Sequence, residues 1–144
     1  MQVLLVEDDD GYAMAMEHLL RACKLEVTRV ALLKDALTEA ERMQPDVILL
    51  DLALPDSQIA DTVRTIPDFK RIAPESHVAV ITGSTNPVYR EMAINAGADT
   101  FSEKGGMGSR RDILNLLIQS LKNSNNTIRE NVEILEQALG HKLL

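Results

Sequence analysis

Aromatic side chains are scarce in this sequence: two Phe, two Tyr and no Trp make up 3% of its 144 residues. So few rings cannot build the stacking platforms that hold single-stranded nucleic acid. Positive charge is also in deficit, with 15 Lys and Arg against 22 Asp and Glu and a net charge of −7. A phosphate-backbone footprint needs the opposite balance, so direct nucleic-acid binding is not expected. Cys23 is the single cysteine, which leaves no disulfide framework and no cysteine zinc site. It reads as a small core residue. No apolar run approaches membrane-spanning length, so no membrane partner is expected. The opening, Met1 to Val6, lacks a basic n-region and is too short for a signal peptide, and a cytoplasmic location is the expectation. What remains is an ordinary globular balance, 45% hydrophobic and 26% charged, in a length that suits one domain with a real core.

The most informative stretch is Val47-Ile48-Leu49-Leu50-Asp51, followed by Leu52-Ala53-Leu54-Pro55-Asp56. Four apolar residues run without alternation into one acid, the pattern of a central parallel strand buried on both faces. Leu54 to Ser57 then breaks the pattern as a turn does. Asp51 therefore falls at the carboxyl end of an inner strand, the edge of an open α/β sheet where ligands bind. Alone, it could equally cap a turn; the other acids and one lysine decide the matter.

Strand and helix patterns alternate along the chain. Gln2–Val6 is a β-prone run that ends in Glu7-Asp8-Asp9-Asp10. Asp10-Gly11 can start a helix with a carboxylate at its positive end, continued by the apolar face of Tyr12–Cys23. Leu25–Val30 reads as a strand and Leu33–Met43 as a helix ended by Gln44-Pro45. Asp56 or Ser57 is expected to cap a helix through Ile66, with Pro67 and Pro74 bracketing a less regular stretch, Asp68–Ala73. His77–Thr82 is the fourth strand. Asn86-Pro87 opens a helix to Ala96 that Gly97 closes, and Thr100–Ser102 is the fifth strand. Gly105, Gly106 and Gly108 make a loop before a helix from Ser109 to about Leu121. Alternation of this kind implies an α/β fold: a doubly wound, five-stranded parallel sheet, flavodoxin-like, strand order 2-1-3-4-5, with helices on both faces. That unit spans 1–121. Residues 122–144 read as a polar hinge and a C-terminal amphipathic helix.

In that strand order the ends of strands one, three, four and five are neighbours. Glu7 and Asp8, then Asp51, Thr82 and Lys104 converge on one edge. Clustered carboxylates repel and raise one another's pKa values. A hard divalent cation relieves this, and Mg²⁺ suits a site of few carboxylates and several waters. A lysine and a threonine hydroxyl beside them suit a phosphoryl group, and Asp is an established nucleophile toward phosphoryl donors. His18, His77 and His141 show no zinc-ligand spacing and are set aside.

Val3-Leu4-Leu5-Val6-Glu7-Asp8, Asp46 through Asp56, Val80-Ile81-Thr82-Gly83-Ser84, Ala96-Gly97-Ala98-Asp99 and Ser102-Glu103-Lys104 together resemble the receiver domain of two-component response regulators, the CheY-like superfamily. The resemblance covers about Met1–Leu121. It implies that Asp51 is the phosphoacceptor. Asp8 and Asp51 would bind Mg²⁺ with the main-chain carbonyl of Ala53, and Glu7 would act through a metal-bound water. Lys104 would pair with the phosphoryl group, and Thr82 and Phe101 would be the switch pair reshaping Asn86–Ala96, Thr100–Ser102 and Ser109–Leu121. The implied partners are a histidine kinase or phosphotransfer protein and a downstream protein effector. Two features depart from the family pattern. Gly105 stands where many receivers have proline after a cis peptide, and the switch aromatic is Phe rather than Tyr.

The expected function is thus a phosphorylatable receiver that catalyses only its own phosphorylation and dephosphorylation. No DNA-binding or enzyme domain fits in the 23 residues after Leu121, so the chain signals by protein contact or is a fragment of a longer regulator. Two rivals come from other classes. A constitutive interaction module would not need the acids, Thr82 and Lys104 intact. A metal-dependent phosphohydrolase would want a second acid or base near Asp51, where Ala53 stands two residues on. In the tail, Ile128, Val132, Leu135 and Leu139 form one apolar stripe behind a Thr127/Glu130 capping box, too short to be stable alone. It must dock on its own domain or on a second chain; a homodimer through 127–139 is the preferred expectation.

Overall fold

Val3–Val6 and Val47–Leu50 are at most 2% exposed. Runs this apolar hide both faces of each strand, which only a sheet covered on both sides can do. A computed structural model describes residues 1–104, 114, 115, 117, 118 and 137. Its elements, in chain order, are β1 (Gln2–Val6), α1 (Asp10–Ala22), β2 (Glu26–Val30), α2 (Leu33–Met43), β3 (Val47–Leu50), α3 (Ile59–Arg64), α4 (Ile66–Ile72), β4 (His77–Thr82), α5 (Pro87–Asn95) and β5 (Thr100–Glu103). The strands form one sheet in the order β2-β1-β3-β4-β5, every pair parallel, as expected.

Alternate residues of each central strand feed two cores. Val3, Leu5, Val47, Leu49, Ala79 and Ile81 pack with Ala13, Met16 and Leu20 of α1 and with Leu114, Leu117 and Ile118. Leu4, Val6, Ile48, Leu50, Val78 and Val80 face α2 through α5 on the other side. The helix expected from Ser109 to Leu121 is described only at positions 114, 115, 117 and 118, all helical. The glycine loop after Lys104, the peptide that opens it, and the amphipathic segment Thr127–Leu139 (apart from Gln137) lie outside the described residues.

Two local readings are corrected. The stretch expected to be irregular, Asp68–Ala73, is mostly α4. Pro67 sits in that helix's first turn, where its missing N–H leaves no bond unmade, and Ile66 and Phe69 are fully buried. Asp56 and Ser57 do not cap the helix that follows them: its N-cap is Gln58, whose side chain makes no capping bond. Asp56 instead accepts from the amides of Leu33 and Lys34 at 2.8 and 3.2 Å. It thereby caps α2, whose own N-cap, Leu32, has no side chain for the task. Other caps follow local rules. Asp9, one residue before the position expected, accepts from Tyr12 N at 2.9 Å to start α1. Asn86 accepts from Val88 N to start α5, and Gly97 follows that helix at φ +110°, a conformation that favours glycine.

Candidate functional site

Three of the candidate site residues are each the first past the end of a strand, still held by the sheet ladder. Glu7 N donates to Val30 O at 3.0 Å, Asp51 N to Val6 O at 3.0 Å, and Lys104 N to Thr82 O at 2.6 Å. The backbone is therefore fixed by sheet bonds where the side chains turn toward the carboxyl edge. The same register brings Leu50 beside both Val6 and Val80, and Thr82 beside Glu103.

At that edge Lys104 Nζ lies 2.7 Å from Glu7 Oε2 and 3.0 Å from Asp51 Oδ2. Glu7 is 1% and Asp51 4% exposed, so one ammonium serves two buried carboxylates. Asp8 is exposed, and its carboxylate completes a cluster with Glu7 and Asp51 whose ligand oxygens lie within 4.8 Å of one another. Asp51 Oδ1 also accepts from the amide of Ala53 at 3.2 Å. The Tyr12 ring packs on Lys104, 4.5 Å from Nζ to the ring centre, which favours the ammonium there.

Burial pushes Glu7 up from 4.5 to about 7; the Lys104 hydrogen bond opposes the rise and the charge of Asp51 adds to it. Burial alone would lower Lys104, but its bonds to Glu7 and Asp51 outweigh this and raise it. The lysine stays charged, and the acids remain in excess. Three carboxylates converging with one lysine form a hard-oxygen donor set with unbalanced negative charge, which fits a small divalent cation.

Thr82 is fully buried, and its Oγ1 accepts from Ser84 N at 3.2 Å; no hydrogen bond joins it to Asp51 among the described residues. Phe101 is 9% exposed, with the Arg90 guanidinium 5.7 Å from its ring centre. His77 starts β4, at the opposite edge of the sheet, with Nε2 3.3 Å from Thr100 Oγ1. The run Glu7–Asp10 divides its labour: two acids enter the cluster, Asp9 caps α1, and Asp10 pairs with Arg29 at 2.9 Å. Sequence reading missed Tyr12 and Arg29, which look like an ordinary helix residue and an ordinary strand residue. Strand order sets Arg29 beside the acids and brings Lys104 against the Tyr12 ring.

The family profile of the response regulator receiver domain matches residues 3–117. The sensory transduction protein RegX3 of Mycolicibacterium smegmatis is 31% identical over 102 residues, covering 71% of this chain and 43% of its own length. The chain spans less than half the length of this and other curated relatives it matches. Among solved structures, the receiver domain of sensor histidine kinase PA1611 of Pseudomonas aeruginosa PAO1, with a magnesium ion coordinated in its active site cleft, is 27% identical at a TM-score of 0.69. The match covers 82% of this chain and 94% of that one. The beryllofluoride-activated NtrC4 receiver domain dimer is 27% identical at a TM-score of 0.72, covering 83% and 94%.

Proposed function

The chain belongs to the response regulator receiver domain family, and on that premise we propose that it accepts a phosphoryl group on Asp51 and passes the change to a protein partner. The observation that carries the proposal is the single ammonium of Lys104 bridging Glu7 and Asp51 beside Asp8. A carboxylate oxygen of Asp51 attacks the phosphorus of the donor. The new O–P bond forms as the donor's leaving group departs with the electron pair of the old one. Lys104 pairs with an oxygen of the transferred group, and the Thr82 hydroxyl turns from its local bond to donate to another. Asp8, Asp51, the main-chain carbonyl of Ala53 and, through water, Glu7 would hold Mg²⁺, which when bound neutralises phosphoryl oxygens. Water then attacks the phosphorus as the Asp51 O–P bond breaks, releasing inorganic phosphate and restoring the Asp51 carboxylate, so the chain turns over only its own phosphoryl group.

Thr82 and Phe101 form the switch. As Thr82 moves toward the phosphoryl group, the Phe101 ring packs behind it and changes the surface of α5, β5 and the segment toward Leu121. The ring lacks a hydroxyl, so packing alone reports the state. A histidine kinase or phosphotransfer protein is the donor, a protein effector reads the surface, and self-association through 127–139 is a further readout. The beryllofluoride-activated NtrC4 receiver domain is itself a dimer.

Incubation with acetyl phosphate or phosphoramidate and Mg²⁺ should add the mass of one phosphoryl group to the wild type and none to Asp51→Asn. An unchanged mass in folded, Mg²⁺-bound wild type would favour a constitutive interaction module instead.

A further inference from the structure

Arg29 sits on β2, the edge strand beyond β1, on the side away from β3 and β5. Its Nε donates to the main-chain carbonyl of Glu7 at 3.0 Å and its Nη2 to that of Asp8 at 3.2 Å. The same Nη2 lies 2.9 Å from Asp10 Oδ1, and the Arg29 side chain is only 23% exposed. One planar fork thus grips two successive carbonyls of the loop that carries two of the three clustered acids. The Asp8 carboxylate is exposed and accepts no hydrogen bond among the described residues. Its direction is set by the backbone beneath it, and Arg29 holds that backbone.

We propose that Arg29 is a positioning residue for the divalent-cation site, making the edge strand part of it. The inference rests on the reading of Glu7, Asp8 and Asp51 as cation ligands. Two effects of the guanidinium oppose each other. As a charge it repels a cation, so its removal alone would tighten binding. As a fork it fixes the ligand backbone, so its removal weakens binding. Mg²⁺ exposes the second effect because it demands near-ideal octahedral geometry, whereas Ca²⁺ tolerates irregular sites. Lysine cannot replace the fork: it is a point charge without two fixed donors.

The test is calorimetric titration of the full chain with Mg²⁺ and with Ca²⁺, the fold of each variant checked by urea unfolding. Arg29→Met and Arg29→Lys should both bind Mg²⁺ about tenfold more weakly, with a smaller loss for Ca²⁺. Asp10→Asn, which removes the exposed ion pair and spares both carbonyl bonds, should bind as wild type does. Tighter or unchanged Mg²⁺ binding in the folded Arg29 variants would overturn the positioning role. So would a tenfold loss in Asp10→Asn, which would place the effect in the ion pair. If the wild type bound no Mg²⁺, the cation-site reading would fall, and the role of Arg29 with it.

Discussion

Replacing Glu7 by Gln should stabilise the metal-free protein near neutral and mildly alkaline pH. Glu7 is almost wholly enclosed, and its carboxyl is pushed from 4.5 to about 7, chiefly by burial. A folded-state value above the unfolded one means that the folded chain holds the proton more tightly. The stability it contributes is complete below about pH 4.5 and is lost as pH rises through about 7. A displacement of that size corresponds to about 3 kcal/mol. Gln imitates the protonated acid and keeps an oxygen for the Asp9 amide, which donates to Glu7 Oε1 at 3.2 Å. It surrenders part of the bond to Lys104, so about 3 kcal/mol is an upper figure. With an unfolding entropy of about 0.3 kcal/mol/K for 144 residues, the gain amounts to at most about 10 °C in Tm. The assay is urea and thermal unfolding of wild type and Glu7→Gln in chelator, at about pH 5 and about pH 8, followed by far-ultraviolet circular dichroism. The variant's advantage should be large at the higher pH and small at the lower one. Saturating Mg²⁺ should shrink it, because a bound cation stabilises the wild-type carboxylates. Equal stabilities at the higher pH, or parallel pH profiles, would refute the claim that burial of this charge strains the fold.

Three further outcomes are expected. Asp56→Ala removes the cap of α2 and should cost about 1 kcal/mol of stability while leaving Mg²⁺ affinity unchanged; a loss confined to metal binding would contradict the capping role. Ala53, exposed, and Ser84, half-buried, lie two residues beyond Asp51 and Thr82. Both are small, so water should reach the phosphorus freely; Ala53→Met and Ser84→Leu should slow loss of the phosphoryl group, and an unchanged hydrolysis rate would dismiss this steric account. Sedimentation of the full chain beside one ending at Leu121 should show a dimer only for the full chain, and two monomers of normal compactness would leave docking on its own domain as the tail's role.

How much of this was legible in the sequence depends on the range over which each feature is determined. Val47–Leu50 announces a doubly buried strand because burial on both faces leaves no polar position in the run. Strand alternation with helices then dictates the sheet, and the sheet's polarity dictates that Asp51, Thr82 and Lys104 share an edge with Glu7 and Asp8. Caps such as Asn86 were readable because donor and acceptor lie two residues apart. Tertiary structure decided what no local pattern encodes. Asp56 looks like a cap for the helix just after it, yet it bonds the amides of Leu33 and Lys34 far back in the chain. Asp68–Ala73 looked broken by its flanking prolines, but packing of Ile66 and Phe69 into the core draws most of it into a helix. Of four consecutive acids, the sequence singled out Glu7 and Asp8 for the cluster, but not Asp9 as the cap of α1 or Asp10 as the partner of Arg29. That division follows from where the β1 ladder ends and α1 begins, and from Arg29 and Lys104 reaching the loop from strands on opposite sides of β1. Short-range periodicity fixes which face of an element is apolar; which side chain meets which across the sheet is settled only once the strands have taken their order.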